Sequence, residues 1–331
     1  MRRLHFETLR PLCVVCDARA PLAVACALVE RGDDLIEGIV VCSNDVCRRE
    51  YPVVDGVPIL VGPIRAWLAA NPLQLLQRGD LSAELESLVG DVLGSGSAFD
   101  TMRQHAGIYA GSHYGGAPHP LLDLVPPSAG PALDAGCAAG GTTFTLAERC
   151  GGIVVGVDLN FAMLRIASAA LREGRVRYAR RRVGLVYDRV ERAVDSPARE
   201  RIDFWCCDAA ALPFAGGTFA LAASLNVVDC VAAPQRSIEE LARVLRGGGT
   251  AVVATPYDWS PGATPVENWI GGHSQRGPHG GASEPLLRSL LDGAGLDIAV
   301  ERERVAWRVR LHDRSSFDYD VHAVVARKRL S

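Results

Sequence analysis

No apolar run in the 331 residues approaches the roughly 18 to 20 needed to cross a bilayer, and the opening MRRLHFETLRPL has no apolar core of the signal-peptide kind. A membrane span is not expected, and a cytoplasmic location is. Nor does either charge dominate: 35 basic residues face 38 acidic ones, for a formal net charge of −3. That balance gives no global attraction for nucleic acid or an anionic membrane, so such a partner would need a local patch. The chain is not short of core-forming material either, at 48% hydrophobic and 22% charged, which excludes wholesale disorder. Its length suits about two domains, one small and one larger.

What the sequence does have is cysteine, ten in all, five of them in the first 47 residues. In a reducing compartment these read as metal ligands, buried small hydrophobes or catalytic thiols before they read as disulfides. Cys13 and Cys16 form a C-x2-C pair, Cys42 and Cys47 a C-x4-C pair, with 25 residues between the pairs. Two such turns can present four thiolates to one tetrahedral Zn2+, and Asn44 and Asp45 suit the longer second turn. The plainer alternative is two unrelated pairs of reduced cysteines. A redox C-x-x-C would want a βαβ context, which this end of the chain lacks. Cys26, within AVACALV, reads as a core strand residue. REYPVVDGVPILV then reads as strand, Asp-Gly turn and strand. The succession CVVC, CSNDVC, YPVVDGVPIL resembles the small zinc-ribbon family related to the activating subunit of eukaryotic tRNA and release-factor methyltransferases. The resemblance covers about residues 9 to 62 and implies a structural zinc and a docking surface, with no chemistry of its own.

From Gly62 to about Gly96 the text becomes leucine- and alanine-rich at helical spacing, and GSGS at 94–97 interrupts it. The expected division is a ribbon over 1–62, a helical linker over 63–105 and a main domain over 106–331. MRQHAGIYAGSHYGG lies where a lid would sit, with His113 and Tyr114 its candidate site residues.

PALDAGCAAGGTTFTLAERCGGIVVGVDLN reads as strand, tight small-residue turn, helix and strand, with Asp134 closing the first strand and Asp158 the second. Such a turn brings backbone close to a ligand at a helix N-terminus, with an acid placed for ribose hydroxyls. A dinucleotide site would want G-x-G-x-x-G; here the pattern is D-x-G-x-x-x-G, with Ala138 at the middle. An acid opening the turn would repel a pyrophosphate but suits a cationic, zwitterionic ligand. The pattern resembles motif I of the class I methyltransferases that use S-adenosylmethionine. IDFWCCDAAALPF, SLNVVDCV and the helix, glycine turn and strand of SIEELARVLRGGGTAVVATPYDW follow in that family's order, over 131–257. The resemblance implies that Asp134, Gly136, Cys137 and Gly140 surround the methionine moiety. It puts Asp158 and Leu159 at the ribose, Asp208 and Ala209 near the adenine, and Asn226 in the same cofactor set. EPLLRSLLDGAGL reads as a helix, and AVERERVAWRVRL with DYDVHAVVARK as an antiparallel pair. The fold class is therefore α/β: a Rossmann-like methyltransferase sheet with an antiparallel C-terminal strand, preceded by a small β-rich zinc ribbon.

Two segments fall outside that generic plan: an arginine-rich insertion, with six arginines between 172 and 182, and TPYDWSPGATPVENWIGGHSQR. With HYG at 113–115 and SLNVVD, the second segment resembles the mercaptohistidine N-methyltransferase domain of ovothiol biosynthesis, over roughly 108–327. This implies a small imidazole- or amino-acid-like acceptor. The chain shows no counterpart of the iron-dependent sulfoxide synthase half of those enzymes, and it adds a ribbon, so a different acceptor stays open. Asp229, His113 or Tyr257 would serve the transfer, and Tyr114, Trp259, Asn268 and Trp269 would shape the acceptor site. Each also has a plain structural reading: Trp269 as loop packing, Asp229 as a helix cap, Tyr257 as a strand end. The arginine cluster reads first as a solvated face balanced by Asp188, Glu191 and Asp195. Its alternative is a phosphate-binding patch on an RNA methyltransferase, within a second reading in which the acceptor is RNA or protein and the ribbon is the recognition module. A third possibility is a non-catalytic S-adenosylmethionine-binding regulator, which Ala138 leaves open.

Overall fold

The computed structural model describes residues 1–116 and 119–330. A short helix α1 (Arg3–Leu9) precedes an antiparallel sheet of β1 (Leu22–Arg31), β2 (Asp34–Cys42), β3 (Glu50–Val54) and β4 (Val57–Pro58), paired in that order. The Asp-Gly turn forms as expected. Asp55 and Gly56 both have positive φ, 49° and 68°, as a tight two-residue hairpin requires. Four helices follow: α2 (Ile64–Ala70), α3 (Pro72–Leu76), α4 (Ala83–Leu93) and α5 (Ala98–Tyr114). The GSGS segment separates α4 from α5, and the Ser97 hydroxyl caps α5 by accepting from Asp100 N–H.

Alternating strands and helices build the larger layer: β5 (Ala132–Ala135), α6 (Gly141–Arg149), β6 (Val154–Asp158), α7 (Phe161–Glu173), the hairpin β7 (Arg175–Val183) and β8 (Val186–Ala193), then β9 (Ile202–Cys206). It continues with β10 (Phe219–Leu225), α8 (Pro234–Val244), β11 (Leu245–Thr255), α9 (Glu284–Gly293), β12 (Leu296–His312) and β13 (Ser315–Lys328). Seven strands form one sheet in the order β12-β13-β11-β10-β5-β6-β9. The strands from β9 to β11 run parallel, and β13 inserts antiparallel to both β11 and β12. The expected fold class is the one observed. Strand order reverses between β5 and β10, which opens a crevice beyond their C-terminal ends.

Both faces of the sheet are covered, and the inner strand β10 and even the edge strand β9 are therefore buried throughout. One core packs Phe144, Phe161, Leu164 and Phe204 beneath α5 to α7. The other gathers Trp205, Phe214 and Phe219 with Met1, Phe6, Leu9, Tyr51 and Leu60 of the N-terminal segment. Ribbon and main sheet thus share a core instead of meeting at the linker expected over 63–105. Ile59 bridges in parallel to Cys206, and Leu60 N–H donates to Cys206 O at 2.8 Å, so the ribbon covers the β9 edge. Each large apolar side chain buried there contributes about 1.5 to 3 kcal/mol. The boundary expected at 105/106 falls inside α5, whose residues 98–114 run unbroken across it. The arginine-rich insertion is the β7–β8 hairpin. Among the described residues, no helix is long and apolar enough to cross a membrane.

Candidate active site and metal centre

The turn after β5 is shaped by what cannot fit in it. Gly136 has φ +81°, and a Cβ there would lie 2.2 Å from Val227 Cγ2; Gly140 has φ +86°, and its Cβ would lie 2.7 Å from the Phe204 ring. Ala138, where the sequence pattern left the middle glycine in doubt, adopts φ +45° all the same. Its N–H donates to Asp158 Oδ2 at 2.8 Å, so the turn closes onto the acid at the end of β6. Asp158 Oδ1 accepts from Asn160 N–H at 2.8 Å, and burial raises its carboxyl above the ordinary range. Asp134 is buried. Its Oδ2 accepts from the hydroxyls of Thr142 (2.6 Å) and Thr143 (2.7 Å), which fixes the first turn of α6, and burial pushes the carboxyl up to about 6. Cys137 is buried between this turn and Gly156, where a small side chain suffices.

The other cofactor candidates stand along the same strand ends. Asp208 follows β9 in a turn held by Ala210 N–H on its Oδ1, with Ala209 beside it, and Leu159 is half exposed next to Asp158. Asn226 closes β10 at φ +59°, and neither its Oδ1 nor its Nδ2 has a partner, although both are buried. Both amide atoms are therefore free to hydrogen-bond a bound molecule. S-adenosylmethionine fits this set: close backbone at Gly136 to Gly140, an acid for the ribose, a second acid near the adenine, and an open amide at Asn226.

Above the crevice the structure departs from the sequence reading. His113 Nδ1 accepts from Gly141 N–H at 3.1 Å, so the imidazole sits on the α6 N-terminus and that nitrogen cannot take a proton from an acceptor. Burial, with His119 nearby, lowers its pKa to about 3. Tyr114 donates its hydroxyl to Ala139 O at 2.7 Å and braces the cofactor turn. Tyr257, at φ +56°, commits its hydroxyl to His322 Nδ1 (2.6 Å), and His322 Nε2 meets Glu301 Oε1 (2.7 Å), which also accepts from Arg288 Nε (2.8 Å). Trp259 stacks on Trp269 at 5.9 Å, but Trp269 Nε1 donates to Thr264 O and Asn268 Nδ2 donates to Ala232 O. Asn268 and Trp269 line a separate cavity of about 540 Å³ between α8 and α9, with Pro234 and Leu290, and not the crevice.

Asp229 is the candidate that stays central. It is 1% exposed; its Oδ2 accepts from Asp258 N–H at 2.8 Å, its Oδ1 has no partner, and burial raises its pKa. Around it stand residues not singled out from sequence. Tyr319 donates to Asp258 Oδ2 at 2.9 Å and stacks on Trp307 at 5.5 Å, and Trp307 packs on His119 at 5.8 Å. Tyr109, on α5, is pushed up to about 12 by burial and by the charges of Cys230, Asp158 and Asp229. A signal for the pair did exist. Trp307 and Tyr319 are directly opposite in the β12–β13 register, which aligning the two alternating segments would have found.

In the N-terminal sheet, the sulfurs of Cys13, Cys42 and Cys47 lie within 4.8 Å of one another, with Cys13 and Cys47 at 3.9 Å. Four thiolates held about 2.3 Å from a tetrahedral zinc would be spaced about 3.8 Å apart. Cys16, the fourth expected ligand, is outside this mutual set, and its Sγ accepts from Asn44 Nδ2 at 3.2 Å. Asn44 also orders the second knuckle through Oδ1, which accepts from Val46 and Cys47 N–H. Cys26 stands apart on β1.

Comparison with known proteins adds a family. Residues 133–253 match the family described as a methyltransferase domain. Among solved structures, the chain is similar to an S-adenosylmethionine-dependent methyltransferase from Methanosarcina mazei (21% identity, 65% of this chain and 99% of that one, TM-score 0.43). It is also similar to the YcgJ protein of Bacillus subtilis (15% identity, 64% and 97%, TM-score 0.43). A third likeness is to a chain in the complex of a Haloferax volcanii methyltransferase activator with a methyltransferase (18% identity, 76% and 100%, TM-score 0.42). No curated protein matches. The match to a methyltransferase domain spans β5 to β11 and so takes in the turn at Gly136 to Gly140, Asp158 and Asn226.

Proposed function

We propose that this methyltransferase acts on a nitrogen of a small imidazole- or histidine-derived molecule. The observation that supports it best is the group of aromatic rings beside the strand ends. Tyr109 feels the charges of Asp158 and Asp229, Tyr319 bonds Asp258, and Trp307 stacks on Tyr319. Flat apolar faces next to a buried carboxylate suit a small ring-bearing acceptor. Methyl transfer from a sulfonium is an in-line displacement, so most of the catalysis is alignment and exclusion of water. As the new bond to carbon forms, the carbon–sulfur bond breaks, and the acceptor nitrogen sheds its proton. Asp229 Oδ1, with its second oxygen pinned by Asp258 N–H, is the group best disposed to receive that proton.

In this reading zinc is structural. Cys13, Cys16, Cys42 and Cys47 would hold it, Cys16 turning inward from Asn44, and the metal would tie the two knuckles together. The test is methyl transfer from isotopically labelled S-adenosylmethionine to a panel of imidazole thiols and histidine derivatives. We expect turnover with at least one of them, reduced at least about tenfold in Asp229→Asn. Turnover confined to RNA or protein acceptors would overturn the reading.

A further inference from the structure

The segment that follows β11 turns on a residue whose backbone is one that side chains rarely adopt. Tyr257 has φ +56°, in the left-handed region. Two bonds made from this turn lead to Asp229. Tyr257 N–H donates to Thr255 Oγ1 at 3.0 Å, and the Thr255 hydroxyl in turn bonds the Asp229 carboxyl. The next N–H, that of Asp258, donates to Asp229 Oδ2 at 2.8 Å. The orientation of this buried carboxyl therefore depends on the backbone of 255–258.

What holds the turn lies on the other side of Tyr257. Its hydroxyl meets His322 Nδ1 at 2.6 Å, His322 Nε2 meets Glu301 Oε1 at 2.7 Å, and the same oxygen accepts from Arg288 Nε at 2.8 Å. Burial alone would raise the Glu301 carboxyl, but the bonds from His322 and Arg288 outweigh it and hold the group below its ordinary range. An ionised carboxylate only accepts, so Nε2 carries a proton, and in the neutral imidazole Nδ1 is left to accept from the tyrosine. His322 is 2% exposed, stands opposite Thr255 in the β11–β13 register and lies between Val321 and Ala323 on its strand. An aliphatic side chain would fill that place in the sheet; the imidazole supplies two directed bonds instead.

We infer that His322 is a positioning residue for methyl transfer: by fixing the Tyr257 hydroxyl it maintains the left-handed turn that orients Asp229. The inference rests on the reading of Asp229 as proton acceptor and deepens it. His322 needs no contact with cofactor or acceptor, and no proton passes along the chain, since Asp229 is reached through backbone and the Thr255 hydroxyl. Arg288 on α9 and Glu301 on β12 are the outer anchors, so both elements are tied to the orientation of that one carboxyl.

The test uses the full chain with His322→Leu, His322→Gln and Tyr257→Phe. One readout requires no acceptor: hydrogen exchange at Asp258 N–H, followed by mass spectrometry. We expect exchange about tenfold or more faster in His322→Leu and Tyr257→Phe. His322→Gln should stay within about threefold of wild type, because its amide can accept from the tyrosine and donate to Glu301. The other readout is turnover with whichever imidazole thiol or histidine derivative reacts fastest. There kcat should fall about tenfold in His322→Leu and Tyr257→Phe and recover in His322→Gln, with KM for S-adenosylmethionine within about twofold throughout. Exchange equal to wild type in His322→Leu and Tyr257→Phe would overturn the inference whatever the acceptor. Faster exchange with unchanged kcat would also overturn it, leaving His322 as a brace of the sheet. If Asp229→Asn turns over as fast as wild type, the proton-acceptor reading falls and the positioning role with it; accelerated exchange would still mark that failure as distinct from a loss of coupling between His322 and the turn. Should His322→Leu not fold, Tyr257→Phe carries both readouts.

Discussion

A methyl group at Gly140 would lie 2.7 Å from the Phe204 ring and would also have to tolerate φ +86°. Such a position announces itself in sequence, because only glycine answers both demands. Asp134, Gly136 and Asp158 were legible for the same reason: type and spacing together leave few alternatives. Roles that depend on a hydrogen atom's destination were not. His113 looks like a proton acceptor until its Nδ1 is seen to take Gly141 N–H. The same burial has a consequence for acid stability. The folded-state pKa values of His113 and His119 are lowered to about 3 and about 4, from an ordinary 6.5. Below pH 6.5 the unfolded chain gains protons that the folded chain refuses, so stability is full above that pH and falls as pH drops toward 4. We expect the urea midpoint to decline between pH 7 and 5, and to decline less in His113→Gln/His119→Gln. An identical decline in both proteins would contradict the pKa assignment.

Among the elements, those with a strong local period were read correctly from sequence, including the parallel strands, the C-terminal antiparallel pair and the Asp-Gly hairpin. What periodicity could not convey is how far an element extends or what it covers. β12 runs for 17 residues, and its distal half, paired with β13 beyond the β11 ladder, lays Trp307 on His119. α5 crosses an expected domain boundary because its capped N-terminus and its His113 and Tyr114 contacts make it one rigid brace. The β7–β8 hairpin disposes of the arginine cluster. Arg177 pairs with Glu191, Arg180 and Arg182 with Asp188, and Arg181 donates to Gln104 of α5. Arg180 also reaches Asp313 at 3.9 Å, so two carboxylates face these three adjacent arginines. Replacing Arg180, Arg181 and Arg182 with serine should change small-acceptor turnover by no more than about twofold, with no steep salt dependence. A large loss that tracks salt concentration would favour an RNA acceptor.

For the whole molecule, the N-terminal sheet shares a core with the main sheet. Leu12 N–H donates to Pro213 O at 2.7 Å, and Arg19 Nη2 to Leu212 O at 2.8 Å, so the first knuckle grips the loop that follows Asp208. Leu60 grips Cys206 just before it. The cysteine spacing predicted a metal site but carried no sign of these contacts, because docking is a matter of which apolar faces meet. Freshly purified protein should contain about one zinc per chain, and Cys13→Ser/Cys47→Ser should lose it and melt several degrees lower, about 5 °C or more. Metal far below one per chain would refute the site. Whether the crevice holds S-adenosylmethionine is measured most directly by calorimetric titration of that cofactor into wild type and Asp158→Ala. We predict one site per chain in wild type and affinity at least about tenfold weaker in the variant, from lost ribose hydrogen bonds. No heat of binding in the wild type, or equal affinity in both proteins, would contradict it.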